Sequence, residues 1–437
     1  MKYKVIIILL TILIKVNSNA MPLKFDFGNG KTAKGYNSVN SSTIYDDTHG
    51  YGFDFGTKAE CNKTNNNPLT GDFCTSLKPF YFSVKLHEGN YKVTVYITNA
   101  NGNSYTTIKA ESRRLMLEKI QPAKGEIIKK TFCVNVRIPK INDSISIKIK
   151  PREATYLNWD NKLTFEITGH NPCICAIEIE ETYPITTIFL AGNSTVTDQE
   201  REPYASWGQM ITRFLSPDVV VANYAESGES LHSFYNSNRL AKILSLIKPG
   251  DYLFIEFGHN DQKLKGEGIG PWTSFTNYLE LFIDETLKKG AYPVLVTPLS
   301  RRSFDSSGFI INTHGEYLDA VRAVAKNRNV PLIDLNTMSK TLYETMGIEN
   351  SKKLLCHYPA NTYPGQDKKL EDNTHFNNFG AYQIAKCVLQ GIIDNNLNIK
   401  NYILKDFNGY NPSLPDSFEK WDFPESIFIT NTKPEGN

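Results

Sequence analysis

Residues 81–100, YFSVKLHEGNYKVTVYITNA, alternate apolar and polar positions on both sides of Gly89-Asn90. Alternation is the period of a half-buried strand, and a Gly-Asn pair between two such runs predicts a hairpin. SISIKIK at 144–150 and LTFEITG at 163–169 alternate in the same way, and CAIEIEETY closes the segment at Tyr183. No helical period interrupts residues 21–183. Short strands separated by turn signals predict a β-sandwich there.

After Pro184 the period changes. Short apolar runs at 186–190, 219–224, 252–257, 293–297 and 331–335 read as strands, with helical stretches between them. In WGQMITRFL, Trp207, Met210, Ile211 and Phe214 recur at i, i+3, i+4 and i+7. RLAKILSLIKPG places Leu240, Ile243, Leu244 and Ile247 on one face and stops at Pro249-Gly250. YLELFIDETLKKG gathers Leu279, Phe282 and Ile283 and ends at Gly290. Strands alternating with helices predict an α/β domain with a parallel, doubly wound sheet over residues 184–400. Residues 401–437 are rich in Pro, Asn and aromatics without periodicity, which predicts an irregular C-terminal extension.

Composition changes this picture little. The chain has 437 residues, room for two or three domains, and a formal net charge of +2. That balance points to no nucleic-acid partner and no acidic membrane surface. At the N-terminus, Lys2 and Lys4 precede an apolar run from Val5 to Ile14, followed by Ser18-Asn19-Ala20. This is the pattern of a secretory leader, residues 1–20, cut near Ala20; the run is too short to span a bilayer. A secreted or periplasmic protein without membrane insertion is expected. Seven cysteines leave at least one thiol over. Cys61 and Cys74 bracket a polar loop and are expected to pair. Cys173 and Cys175 sit in a strand-like run and are expected on opposite faces. None has zinc-ligand spacing with a histidine, so no metal and no cofactor are expected.

The candidate chemistry lies at the strand ends. Gly192-Asn193-Ser194 follows the first run, NYAESGES with Gly228 the second, and FGHNDQK with Asn260 the third. Far downstream, DNTHFNNFGAYQIA places Asp372 and His375 before a helical stretch. A doubly wound sheet gathers its strand ends at one edge, where ligands bind. This set suits acyl transfer. A serine hydroxyl needs a base to become a nucleophile, His375 can be that base, and Asp372 can fix its tautomer. The Ser194 and Gly228 backbone N–H groups and the Asn260 amide can receive the oxyanion. Taken singly, Ser194 could be a cap, Gly228 and Asn260 turn formers, and His375 a surface residue. Their joint order on successive strand ends is what carries weight.

These blocks resemble the SGNH (GDSL-type) hydrolase superfamily over roughly residues 185–395. AGNSTVTDQ, AESGESLHSF, FGHNDQK and DNTHFNNFGAYQIAK are similar to the rhamnogalacturonan acetylesterase branch. The resemblance implies a flavodoxin-like three-layer domain with a parallel sheet, preceded by a β-rich domain. It also implies a Ser194–His375–Asp372 triad, an oxyanion hole of Ser194, Gly228 and Asn260, and an acetylated pectic polysaccharide as substrate. One position departs: relatives usually carry Asp before the nucleophile, and here it is Asn193.

Other residues invite weaker readings. Arg301 and Arg302 follow the fourth strand and could bind a uronate carboxylate; a solvated or ion-paired role is equally open. Trp207 fits the core face of its helix, whereas Tyr204 could stack on a sugar. His259 and His357 lack metal-ligand companions. Asp251 and Glu256 are too scattered for a glycosidase pair. Because all five site positions follow Pro184, residues 21–183 are expected to be an accessory domain outside the catalytic machinery. A noncatalytic glycan-binding protein with a degraded esterase domain is the alternative from another class. An SGNH lipase or thioesterase is the alternative within the same class.

Overall fold

The computed structural model describes residues 22–99, 102–183 and 185–435; the expected leader lies outside them. Residues 22–183 form two facing sheets. One is ordered Ile127–Val136, Gly89–Thr98, Cys173–Glu181, Leu23–Phe27, Asn37–Val39, with Asp72–Thr75 and Glu60–Lys63 added beside Cys173–Glu181. The other is ordered Tyr51–Asp54, Phe80–Lys85, Lys162–His170, Tyr105–Ala110, Arg114–Ile120. Alternate residues of both sheets point inward. Phe25, Phe27, Phe53, Phe80, Phe82 and Phe165 meet there with Val93, Val95 and Ile97. The rings cross edge to face, as Phe27 and Phe82 do at 4.8 Å between centroids.

Three local readings change here. The runs flanking Gly89-Asn90 are not a hairpin, because Phe80–Lys85 and Gly89–Thr98 belong to different sheets and the turn carries the chain across the sandwich. SISIKIK joins neither sheet: it makes one isolated antiparallel bridge, Ser146 with Lys140, and Ile147 N–H donates to Pro139 O at 2.9 Å. It leaves the sandwich and lies along the second domain, where Lys148 N–H donates to Ser237 O and Ile147 joins that domain's core. Cys173 and Cys175 pack in one cluster with Phe73, because residues i and i+2 of a strand share a face. Cys61 and Cys74 are disulfide-bonded.

The second domain carries a five-stranded parallel sheet ordered Val219–Asn223, Thr186–Gly192, Tyr252–Glu256, Tyr292–Val296, Leu332–Ile333. In sequence order this is 2-1-3-4-5, the flavodoxin-like winding. Helices cover both faces. Ile188 and Leu190 pack against Trp207, Met210 and the helix Asn378–Asp394. Phe189 and Ala191 pack on the other side with Leu240, Ile243, Leu279 and Phe282. Burial on both faces explains why these strands read as unbroken apolar runs. Among the described residues, no helix is long and apolar enough to cross a membrane. From Leu404 onward the chain is mostly irregular, with one short 3-10 turn at Phe418–Lys420.

Candidate active site

The order 2-1-3 puts the ends of the first three parallel strands side by side. Leu190 is level with Asn223, and Gly192 with Glu256. Beyond Gly192 the chain makes a tight turn: Val196 and Thr197 N–H both donate to Asn193 O. Ser194 sits in that turn and is buried. Its carbonyl accepts from Gln199 Nε2 at 2.7 Å, and the same nitrogen lies 3.5 Å from Ser227 Oγ. One side chain thus ties the nucleophile turn to the loop carrying Gly228. That loop is tied in turn to the third strand end, since Asn260 Nδ2 donates to Glu229 O at 2.9 Å.

Gly228 is constrained twice. Its φ of +82° is one that L side chains rarely adopt, and a Cβ there would meet Glu435 Oε2 at 2.7 Å and Lys150 Nζ at 3.0 Å.

The remaining two members arrive on the strand Leu370–Phe376, paired antiparallel with Leu355–Tyr358. His375 Nε2 is 2.9 Å from Ser194 Oγ, and His375 Nδ1 is 2.7 Å from Asp372 Oδ2. Asp372 also accepts from Thr374 N–H at 2.8 Å and from His375 N–H at 3.0 Å. Burial alone would raise its carboxyl, but these hydrogen bonds and the imidazole outweigh burial and hold it at about 2. Ala205 N–H donates to Phe376 O at 2.8 Å, stitching this strand to the nucleophile side.

Around the turn, Glu256 is buried and pushed up to about 7 by burial, against hydrogen bonds from Thr195 and Trp207. Trp207 is a core residue whose Nε1 donates to Glu256 at 2.7 Å. Tyr204 presents its ring edge-on to His375, 6.0 Å away at 89°, instead of standing free to stack on a sugar. His259 faces His314 at 3.3 Å, and burial drives it well below its ordinary range. His357 Nε2 donates to Asn373 Oδ1 at 2.9 Å. The described residues contain no cluster of three or more potential metal ligands.

The two arginines part company. Arg301 is half-buried beside the third strand end and donates to His259 O and Thr313 Oγ1, both at 3.2 Å. Arg302 is buried, with Nε on Ser351 Oγ, one terminal nitrogen on Asn373 Oδ1 and the other on Ile348 O. Its guanidinium holds the Asp372–His375 segment in place, so the reading of Arg302 as a substrate ligand is corrected to that of a positioning residue.

Residues 21–183, expected to stand outside the machinery, supply none of the five site positions but do hold the segment that follows Ser194. Arg113, in the turn between two sandwich strands, is buried and pairs with Glu202 at 2.6 Å. It also donates to Tyr204 O at 2.6 Å and Gln199 O at 3.2 Å. Arg114 pairs with Asp198 at 2.9 Å, and Arg137 approaches the same carboxylate at 3.6 Å. Ser112 donates to Glu200. The segment immediately after the nucleophile turn is therefore held by first-domain side chains. Nothing local in ESRRL marks these partners, which lie far away in sequence.

A cleft of about 350 Å³ opens between the domains. It is lined by Gln199, Tyr204 and Ser227 from the second domain, Arg152 and Tyr156 from the segment joining the sandwich strands, and Lys433 and Glu435 from the C-terminal extension.

Comparison with known proteins agrees with this geometry. A family model described as GDSL-like Lipase/Acylhydrolase matches residues 188–388. A second, described as Beta-agarase/YXIM esterase-like, galactose-binding domain-like, matches residues 23–118. The chain is 45% identical over 219 residues to rhamnogalacturonan acetylesterase RhgT of Bacillus subtilis (strain 168), covering 50% of this chain and 94% of that protein. It is 35% identical over 222 residues to probable rhamnogalacturonan acetylesterase YesY of the same organism, covering 50% of this chain and 98% of that protein. An uncharacterized esterase of that organism, YxiM, is 26% identical over 381 residues, covering 84% of this chain and 89% of that protein.

Proposed function

The chain belongs to the GDSL-like lipase/acylhydrolase family and hydrolyses carboxylic esters, and from that premise we propose that it removes O-acetyl groups from a rhamnogalacturonan-type pectic polysaccharide through a serine acyl-enzyme. The single observation that carries the mechanism is the unbroken chain Ser194 Oγ to His375 Nε2 at 2.9 Å and His375 Nδ1 to Asp372 Oδ2 at 2.7 Å.

In this reading His375 takes the Ser194 proton as Oγ attacks the acetyl carbonyl. Asp372 stays ionised, holds the tautomer with Nδ1–H pointing at itself, and stabilises the imidazolium. The backbone N–H groups of Ser194 and Gly228 and the Asn260 amide receive the oxyanion, each donor contributing roughly 3 kcal/mol to barrier lowering. His375 then gives that proton to the sugar oxygen as its bond to the acetyl carbon breaks, and a water deprotonated by the same imidazole attacks the acyl-enzyme to release acetate and return the proton to Ser194.

The substrate class rests on the relatives' names and on a cleft of a size suited to a sugar residue. A complete hydrogen-bonded triad weighs against a degraded, purely glycan-binding domain. The Cys61–Cys74 disulfide supports action in an oxidising compartment outside the cytoplasm.

The test is acetate release from O-acetylated rhamnogalacturonan, set beside acetylated xylan and 4-nitrophenyl acetate, with Ser194→Ala as control. Preferential release from the pectic substrate, abolished in the control, is expected. Equal rates on both polysaccharides refute the substrate class, and near-native activity of the control refutes the mechanism.

A further inference from the structure

Two cations converge beside Gly228, and neither comes from the parallel-sheet domain. Lys150 and Arg152 lie on the segment that joins the sandwich strands. Arg152 commits one terminal nitrogen to Glu226 at 2.6 Å and to Ser227 O at 2.9 Å. Lys150 Nζ lies 2.5 Å from Ser227 O and 3.4 Å from Glu229. These bonds fix both cations to the loop that carries the oxyanion glycine.

What remains of each cation meets a single carboxylate from the C-terminal extension. Glu435 Oε1 is 2.5 Å from the other terminal nitrogen of Arg152, and Glu435 Oε2 is 3.0 Å from Lys150 Nζ. The same carboxylate oxygen lies 2.7 Å from where a Cβ on Gly228 would be. Two residues earlier, Lys433 Nζ stands 3.5 Å from Asp372 Oδ2. The extension thus crosses the mouth of the site, from the triad aspartate to the oxyanion loop.

Burial separates the two sides of this contact. Glu226 and Glu229 are nearly inaccessible, with side-chain exposures of 4% and 3%, whereas Glu435 is 58% exposed. An ion pair open to water on one side is screened and holds its partners weakly. Glu435 is therefore a weakly held occupant of a rigidly held pair of donors.

Resting on the pectic reading above, we propose that Lys150 and Arg152 form a carboxylate subsite for a galacturonate residue next to the acetylated position, and that Glu435 occupies this subsite until substrate displaces it. A uronate carboxylate would take one oxygen to each cation as Glu435 does, which fixes the sugar relative to Gly228 and Ser194. The segment at residues 150–152 would then supply substrate recognition that the parallel-sheet domain lacks at this point.

The full-length protein is given an O-acetylated galacturonate-containing oligosaccharide and the same oligosaccharide with its carboxylates methyl-esterified. Acetate release is followed for both. The unmodified enzyme is expected to prefer the free acid by about tenfold in kcat/KM, mainly through KM, since a charge-assisted hydrogen-bonded pair is being made or lost. Lys150→Met should remove most of that preference, and Lys150→Arg should retain it. Because each preference is a ratio within one protein, partial misfolding does not imitate it. Glu435→Gln should lower KM for the free acid and leave the methyl ester less affected. Equal turnover of the two substrates by the unmodified enzyme, or an undiminished preference in Lys150→Met, overturns the subsite alone. Turnover of 4-nitrophenyl acetate with neither oligosaccharide processed overturns the pectic reading and the subsite with it.

Discussion

The two halves of the proposed triad are anchored in different ways. Ser194 sits in a turn whose continuation, residues 198–204, is gripped by Arg113, Arg114 and Arg137 of the sandwich. Asp372 and His375 sit on a strand fixed by residues of their own domain. Arg302 donates to Asn373 on that strand, and the backbone of Thr374 and His375 donates to Asp372. The first anchorage is a set of buried ion pairs; the second combines Arg302 bonds to uncharged acceptors with backbone N–H groups that donate to the Asp372 carboxylate. The nucleophile half should therefore depend on the sandwich for stability more than the base half, which Arg113 reaches only through Asn378 Oδ1 at 2.9 Å.

Removing the sandwich is the largest challenge to this contrast. Residues 185–435 alone would carry Asp198 and Glu202 without the arginines that pair with them. They would also lose Leu115 and Ile147 from their apolar clusters, leaving the segment after the Ser194 turn without its anchorage. The expected outcome is complete loss of 4-nitrophenyl acetate hydrolysis and a failed or loosened fold by near-UV circular dichroism. Retained activity in the shortened protein would break the comparison.

Asp372→Asn attacks the other half through chemistry, with the fold kept. Loss of the imidazole's partner should lower kcat by on the order of 10⁴ while urea unfolding at pH 7 changes far less. The acid side also reports on it. Asp372 is held at about 2, below its ordinary 3.8, so it adds stability that is fully present above roughly pH 5. That stability is lost as pH falls from there through about 2. The variant should show a shallower acid-unfolding slope between those limits, and an unchanged slope would mean that the aspartate is not ionised in the fold.

A matched pair of arginines sharpens the contrast. Arg113→Met leaves Glu202 buried and unpaired, and should cost roughly 3–5 kcal/mol of stability in urea unfolding. Arg302→Met removes hydrogen bonds to uncharged acceptors and should cost about 1.5–3 kcal/mol, with a larger share of its effect in kcat because the Asp372–His375 strand loosens. If Arg302→Met proves the costlier of the two, the assignment of ionic anchorage to the nucleophile side fails.

How legible these features were in the chain follows the same division. Gly192, Gly228 and Asn260 could be found because each follows an apolar run, and Asp372–His375 because a carboxylate and an imidazole stand three positions apart before a helix. Such signals are local. The anchoring arginines are not, since Arg113 and Arg114 meet partners near position 200 that no period connects to them. SISIKIK shows the opposite failure: its alternation is perfect, yet the segment spends its backbone on residues 139–141 and on Ser237 and Asn238 rather than on either sheet. Periodicity reports which faces are apolar, not what they are placed against.

The smallest expected effect lies at Asn193, inside the first-domain-anchored turn. Its Oδ1 accepts from Thr195 N–H at 3.1 Å, and its Nδ2 has no hydrogen-bond partner among the described residues. Asn193→Asp keeps the acceptor and removes an unsatisfied buried donor. It also adds a negative charge near Glu256, which shares Thr195 Oγ1 with Asn193 at 2.7 and 2.9 Å. Glu256 already sits at about 7, so a second carboxylate would push it further up, and near neutrality the pair would keep one proton. Only as pH rises and both ionise would the added charge favour the protonated form of His375. The rising limb of kcat/KM should then move to higher pH by less than about one unit, with the maximum rate kept. The measurement is kcat/KM for 4-nitrophenyl acetate against pH in both forms. A profile shifted to lower pH contradicts the sign of the effect, and a large loss at every pH would mean that the clamped turn tolerates only a neutral side chain before the nucleophile.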